Sequence, residues 1–263
     1  MSDDLVLCDV AEGVARVTMN RPAALNALSD AMLAGLMAVL DRLETDPGVK
    51  VIVLKGAGKA FCAGHDLREM QAGRASPDRG AAYFADLFSR CAALMQRLPR
   101  LPQPVIAQVQ GIATAAGCQL VASCDMAVAA GDARFGVNGV NIGLFCSTPM
   151  VALTRNLPRK QAFEMLTTGE FIPADRAREL GLVNRVVPPA ELDTETLNLA
   201  RTVAGKLGAA LRIGKRGFYD QIGLPLDQAY ESTGAAMVEN MLLRDTDEGI
   251  NAFIEKRKPD WAR

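Results

Sequence analysis

Short apolar runs alternate with amphipathic stretches along most of this chain, and from about Pro189 onward only helical periodicity remains. That order of segments restricts the fold to strands joined by helical crossovers, an α/β class. Leu5–Val10 and Val14–Met19 flank "AEG" and read as a β-hairpin. Ser29 caps a helix with Met32, Leu33, Leu36, Met37, Leu40 and Leu43 on one stripe, stopped by Asp46-Pro47-Gly48. Val51–Leu54, Pro104–Val109, Met126–Ala129 and the short "ARFG" read as strands; Ala81–Leu98, Thr148–Leu157 and Lys160–Thr167 read as helices. "QGIATAAGCQLVASCD" reads as a turn opening a helix. The chain is divided into a core, residues 1–195, and a helical C-terminal region, residues 196–263.

Its 263 residues suffice for one large domain with an appendage. With 29 basic and 30 acidic residues the net charge is −1, so nothing draws it broadly to nucleic acid or an anionic membrane. Leu101–Cys124 is uncharged, but four glutamines and two prolines interrupt it, which excludes a membrane span. "MSDDLVLCDV" shows neither a basic n-region nor an apolar h-region, so a cytoplasmic protein with reduced thiols is expected. The six cysteines include no C-x-x-C pair, and Cys118, Cys124 and Cys146, set among small or apolar residues, read as packing thiols.

Phosphate-loop patterns fail. "GAGKAF" lacks the earlier glycine and the Ser/Thr of a P-loop, and Phe61 stands where a dinucleotide fingerprint needs glycine. His65 is the only histidine, which excludes a multi-histidine metal site and leaves one imidazole; no G-x-S-x-G elbow accompanies it. Two stretches remain, "CAGHD" (Cys62–Asp66) and "AAGCQ" (Ala115–Gln119), each a small-residue loop opening a helix. Helix N-termini present unpaired N–H groups and a positive dipole end. Two such donors aimed at one point form an oxyanion hole, suited to the enolate of a thioester or ester; Ala/Gly turns equally serve tight helix–strand packing.

"NRPAALNAL" (Asn20–Leu28), "GKAFCAGHDL" (Gly58–Leu67), "PVIAQVQGIATAAGCQLVASCDMAVA" (Pro104–Ala129), "ADRARELGLVNRVVP" (Ala174–Pro188) and "EGINAFIEKRKP" (Glu248–Pro259) resemble, in order, the crotonase superfamily of enoyl-CoA hydratases and isomerases. The resemblance implies a spiral core of ββα turns, a C-terminal helical region, and a homotrimer or a dimer of trimers. It implies an acyl-CoA thioester as substrate, with coenzyme A entering as part of that substrate and no separate cofactor or metal. Carried over by position, the oxyanion-hole amides are those of His65 and Ala116. Ala63, Asp66 and Leu67 line the CoA-binding loop, and Phe253 and Lys256 approach the adenine or phosphate end of CoA, often from a neighbouring subunit.

Three positions depart from that pattern. Gln119 and Gly139 stand where family hydratases carry glutamates, and Ala23 replaces a basic residue that helps hold CoA. Hydration needs a base to activate water and an acid to protonate the α-carbon. An amide can position water without deprotonating it, and glycine offers no group. A hydratase-like lyase or isomerase is therefore expected, without the two-glutamate mechanism. Isomerisation or thioester hydrolysis by another base (Asn138, Asn141, Cys146, Ser147 or the His65 side chain) and a non-catalytic acyl-CoA binder are the alternatives. Glutamates at both vacated positions are expected to restore hydration.

Overall fold

The computed structural model describes residues 4–261; Met1–Asp3, part of the stretch read for a signal peptide, lie outside the described residues. The hairpin forms from β1 (Val6–Ala11) and β2 (Val14–Met19), paired antiparallel through Glu12 and Gly13, both at positive φ as a two-residue turn requires. Helix α1 (Asp30–Glu44) starts where Ser29 Oγ accepts from the Met32 N–H at 3.1 Å, and it buries Met32, Leu33, Leu36, Leu40 and Leu43. There follow β3 (Val51–Gly56), α2 (Leu67–Gly73), α3 (Ala81–Arg100), β4 (Val105–Val109), β5 (Ile112–Thr114), α4 (Ala116–Ser123), β6 (Met126–Ala130) and β7 (Arg134–Gly136). Next come α5 (Pro149–Asn156), α6 (Arg159–Thr168), β8 (Ile172–Pro173), α7 (Ala174–Glu179) and β9 (Arg185–Val187). Four helices close the chain: α8 (Leu192–Ala204), α9 (Gly208–Gln221), α10 (Leu226–Met241) and α11 (Arg244–Ile254).

The strands form a large sheet ordered β1-β2-β3-β4-β6-β9, parallel beyond the hairpin, and a small sheet ordered β5-β7-β8. Cys62 bridges Ala113 of β5 in parallel, so the segments after β3, β4 and β6 each turn a corner and lay a second stretch along the small ladder. That repetition is the expected spiral. Successive side chains of a strand point to opposite faces, and here both faces are covered. Ile52, Leu54, Val105 and Ala107 join the main core with Met32, Leu36 and Phe61; Val51, Val53, Ile106 and Val128 pack with Leu192, Leu199 and Ala200 of α8. The division drawn between residues 195 and 196 falls inside α8, which covers the sheet.

Helix α9 is tied to the core by a buried charge. Lys215 Nζ donates to the Leu98 carbonyl (2.8 Å), the Gln103 carbonyl (2.9 Å) and Asp125 Oδ2 (2.6 Å), while the Tyr219 hydroxyl donates to Asp125 Oδ1 at 2.7 Å. Helix α10, by contrast, has no buried residue; Tyr230 is 74% and Leu242 81% exposed. No helix among the described residues is long and apolar enough to cross a membrane.

Candidate active site

The two small-residue loops meet. Leu28 N–H donates to the Gly64 carbonyl (2.8 Å) and Asp66 N–H to the Leu28 carbonyl (3.3 Å). This parallel bridge turns the N–H of the intervening His65 away from Leu28. Across from it, the Thr114 N–H donates to the Cys62 carbonyl at 3.0 Å. Gly64 has φ +86, and a Cβ there would lie 3.0 Å from Ala115 Cβ and 3.3 Å from Ala116 N. At Gly117 a Cβ would collide with the Cys62 carbonyl. Two glycines thus let the loops close on each other, and neither the His65 nor the Ala116 N–H donates to an acceptor among the described residues.

Ala116 is the first residue of α4, so its N–H has no partner one turn back. The residue before it, Ala115, has φ 50 and ψ −119 and gives no side-chain cap. A non-glycine residue in so sparsely populated a region carries roughly 1–3 kcal/mol of strain. The Ala115 N–H donates to the Gly136 carbonyl at 2.9 Å, which helps hold that conformation. Sequence reading found the loop by its small residues and missed the strained alanine, because nothing in alanine's identity signals a positive φ.

Gln119, one turn beyond Ala116, is 4% exposed, and its Oε1 is buried without a hydrogen-bond partner among the described residues. Asn138 Oδ1 accepts from Thr114 Oγ1 at 2.6 Å, joining the turn that holds Asn138 and Gly139 to the donor loop. Gly139 is buried, and the space a side chain would need is taken: a Cβ would collide with the Leu144 carbonyl and lie 2.9 Å from Cys146 Sγ. This corrects the expectation that glutamates at positions 119 and 139 restore hydration, since the second would displace backbone. Asn141 and Ser147 are exposed, and their side chains reach the Gly169 and Phe145 carbonyls respectively, each at 3.4 Å.

The His65 ring lies edge-on to Phe88, with centroids 5.7 Å apart, and neither ring nitrogen has a hydrogen-bond partner among the described residues. Burial pushes its pKa below the usual imidazole value, against the Leu28 backbone, with Arg90 lowering it further and Asp30 opposing. Asp66 is largely occupied: it caps α2 through the Arg68 N–H (2.9 Å) and pairs with Arg21 at 2.7 Å. Burial would raise the Asp66 pKa, but these hydrogen bonds hold it below the ordinary carboxylate value. Ala63 is half-buried on the same loop, Leu67 is exposed at the start of α2, and Ala23 is exposed in a turn. Phe253, 85% exposed, and Lys256 lie at and beyond the end of α11 and face solvent in the single chain. Among the described residues no three His, Cys, Asp or Glu side chains cluster as a metal site would require.

The chain matches the enoyl-CoA hydratase/isomerase family over residues 9–263. It is 46% identical to human enoyl-CoA hydratase domain-containing protein 3, mitochondrial, across 95% of this chain and 81% of that protein. Similarity to the short-chain-enoyl-CoA hydratase of Clostridium acetobutylicum is 35% identity over 93% of this chain and 92% of the relative. The crystal structure of an enoyl-CoA hydratase from Mycobacterium smegmatis superposes with a TM-score of 0.94 at 54% identity, covering 98% of both chains.

Proposed function

This chain belongs to the enoyl-CoA hydratase/isomerase family, and on that footing we propose that it binds an acyl-CoA thioester with the carbonyl oxygen between the His65 and Ala116 N–H groups. One observation carries the reading: two backbone donors without an acceptor among the described residues sit on loops in contact, and one turn into α4 the Gln119 amide oxygen is buried and equally unpartnered. Donors fixed before the reaction stabilise the oxyanion of an enolate at no reorganisation cost, which favours lyase or isomerase chemistry at the α- and β-carbons. Ala63, Asp66 and Leu67 form the wall of the CoA loop, and coenzyme A arrives with its acyl group rather than as a separate cofactor. Gln119 positions water or a polar acyl group. The free cysteines support a reducing compartment such as the cytoplasm.

The C-terminal helices complete the assembly. The exposed Leu226, Tyr230, Met237, Met241 and Leu242 on and just after α10 are too much apolar surface to leave in water, which supports a homotrimer or a dimer of trimers. Phe253 and Lys256 then meet the CoA of a neighbouring copy. A second reading has its own support: Gln119 and Gly139 supply no carboxylate, which favours an acyl-CoA binder without turnover.

Calorimetry with crotonyl-CoA, run beside an assay for loss of the enoyl absorbance, tests both. Binding with turnover supports the enzyme, binding alone supports the second reading, and no binding of any acyl-CoA sinks the site. Light scattering showing a stable monomer at micromolar concentration would remove the assembly.

A further inference from the structure

Resting on that reading of the site, we propose that the Cys146 thiol is the group that carries a proton to and from the α-carbon of the bound acyl thioester. The thiol lies against the turn that holds Gly139. Its Sγ fills the space beside Gly139, 2.9 Å from where a side chain there would begin, and the residue is 6% exposed. The neighbouring Asn138 is hydrogen-bonded to Thr114, two residues before the Ala116 donor. Independently, the Gln119 amide oxygen is buried without a partner one turn beyond Ala116, as befits a cavity wall that a ligand completes.

The rest of the neighbourhood has no comparable proton carrier. Gln119, Asn138 and Asn141 are amides, the Ser147 hydroxyl is directed at the Phe145 carbonyl, and the His65 ring packs edge-on to Phe88. Cys118 is fully buried, and burial pushes its thiol up to about 12. Burial raises Cys146 as well, with the Gly139 backbone opposing it, so the resting group is a neutral thiol, an acid able to protonate an enolate.

The step balances without any further reactant. In the forward direction the thiolate takes the α-hydrogen as a proton. The C–H pair becomes the enolate double bond, and the carbonyl π pair moves to the oxygen held by His65 and Ala116. In reverse, S–H returns its proton to carbon and the thiolate re-forms. In deuterium oxide the S–H exchanges with solvent between these steps, so the α-hydrogens of a saturated acyl-CoA are replaced by deuterium.

The test follows that exchange by proton NMR, using butyryl-CoA with wild type, Cys146→Ala, Cys146→Ser and Cys146→Asp, with calorimetry of butyryl-CoA on each. Wild type is expected to exchange at a rate that rises with pH as the thiol ionises. Cys146→Ala and Cys146→Ser are expected to lose about 100-fold in exchange while affinity stays within about threefold. Cys146→Asp should recover part of the exchange, with its pH limb displaced into the carboxylate range, which a packing role would not do. Exchange in Cys146→Ala within about threefold of wild type overturns the inference. So does wild-type binding without exchange. Failure of wild type to bind butyryl-CoA overturns the parent reading, and this inference falls with it.

Discussion

Helices α2 and α4 both open from small-residue loops at the candidate site, yet they begin in opposite ways. Asp66 precedes α2 in extended conformation, and its carboxylate accepts from the Arg68 N–H at 2.9 Å and the Glu69 N–H at 3.4 Å. Ala115 precedes α4 at φ 50 with no capping side chain. A cap satisfies donors that would otherwise need water or a ligand. The first start is finished within the fold and the second is left open. On the α2 side the unengaged donor lies just before the cap, at His65, where a bridge to Leu28 sets its direction. One donor is aimed by a neighbouring strand-like contact and the other by strain, so the two loops should respond differently to the same substitution.

Proline at the first helical position breaks the comparison most sharply. Proline is tolerated there when the preceding residue is extended, because the missing N–H is unpaired in any case. Leu67→Pro meets that condition, since Asp66 has φ −72 and ψ 103. Melting temperature should change little, and acyl-CoA binding should weaken only by what the Leu67 side chain contributes to the CoA loop. Ala116→Pro removes a proposed donor and forces Ala115 out of its conformation. Turnover should fall by about 10²–10³-fold where an activity is measurable, with weakened acyl-CoA binding by calorimetry. Equal effects of the two prolines would show that the open start of α4 is not the binding element.

Gly64→Ala comes next in size. Its Cβ would sit 3.0 Å from Ala115 Cβ and 3.1 Å from the Thr114 carbonyl, at a φ of +86. Strain and crowding together should cost about 1–3 kcal/mol, read as a lowered denaturant midpoint, and part the two donor loops. Asp66→Ala should cost less, about 0.5–2 kcal/mol for the lost cap. Its effect should fall on stability more than on acyl-CoA affinity, since the His65 N–H is untouched. A Gly64→Ala protein with unchanged stability and affinity would mean that the loops do not press on each other as described.

Much of this was legible in the sequence, and for identifiable reasons. The Ser29 cap, the α1 stripe and strands β1–β4, β6 and β7 are local patterns, carried by residues whose spacing matches their element; β5, three residues within the stretch read as a turn opening a helix, was not legible. Strands β8 and β9 span only 2 and 3 residues, too short for any periodicity to show. Helix α2 buries no residue and so has no apolar stripe to read. At the site, the small residues of Ala115–Gln119 pointed to a close backbone approach, and that approach is present against Cys62 and Gly64. The filled space beside Gly139 was beyond reach, because the Leu144 carbonyl and the Cys146 thiol that occupy it arrive by the turn of the backbone. The Lys215–Asp125 tie joins residues 90 apart in sequence, and neither has a local signature.

The smallest expected effect separates the two loops by pH. His65, in the α2 loop, is half-buried, its ring nitrogens are shielded and unpartnered among the described residues, and burial holds its pKa below 6.5. In the window between that lowered value and 6.5 the unfolded chain binds a proton that the folded chain does not, so stability falls as pH falls. Above 6.5 both states are neutral at this ring and the contribution is fully present; below the folded pKa no further loss accrues. Asp66 acts in a separate, more acidic window, because its pKa is lowered from 3.8 and its stabilisation is lost only as the pH drops through the folded value. The α4 loop, Thr114 to Gln119, holds no group that titrates between pH 4 and 7. Melting temperature should therefore decline as pH is lowered from 7 towards 5, and His65→Leu should flatten that part of the curve while keeping the backbone N–H and hence acyl-CoA affinity at pH 7. If His65→Leu leaves the slope between pH 7 and 5 unchanged, the ring is not the group that makes the α2 loop acid-sensitive.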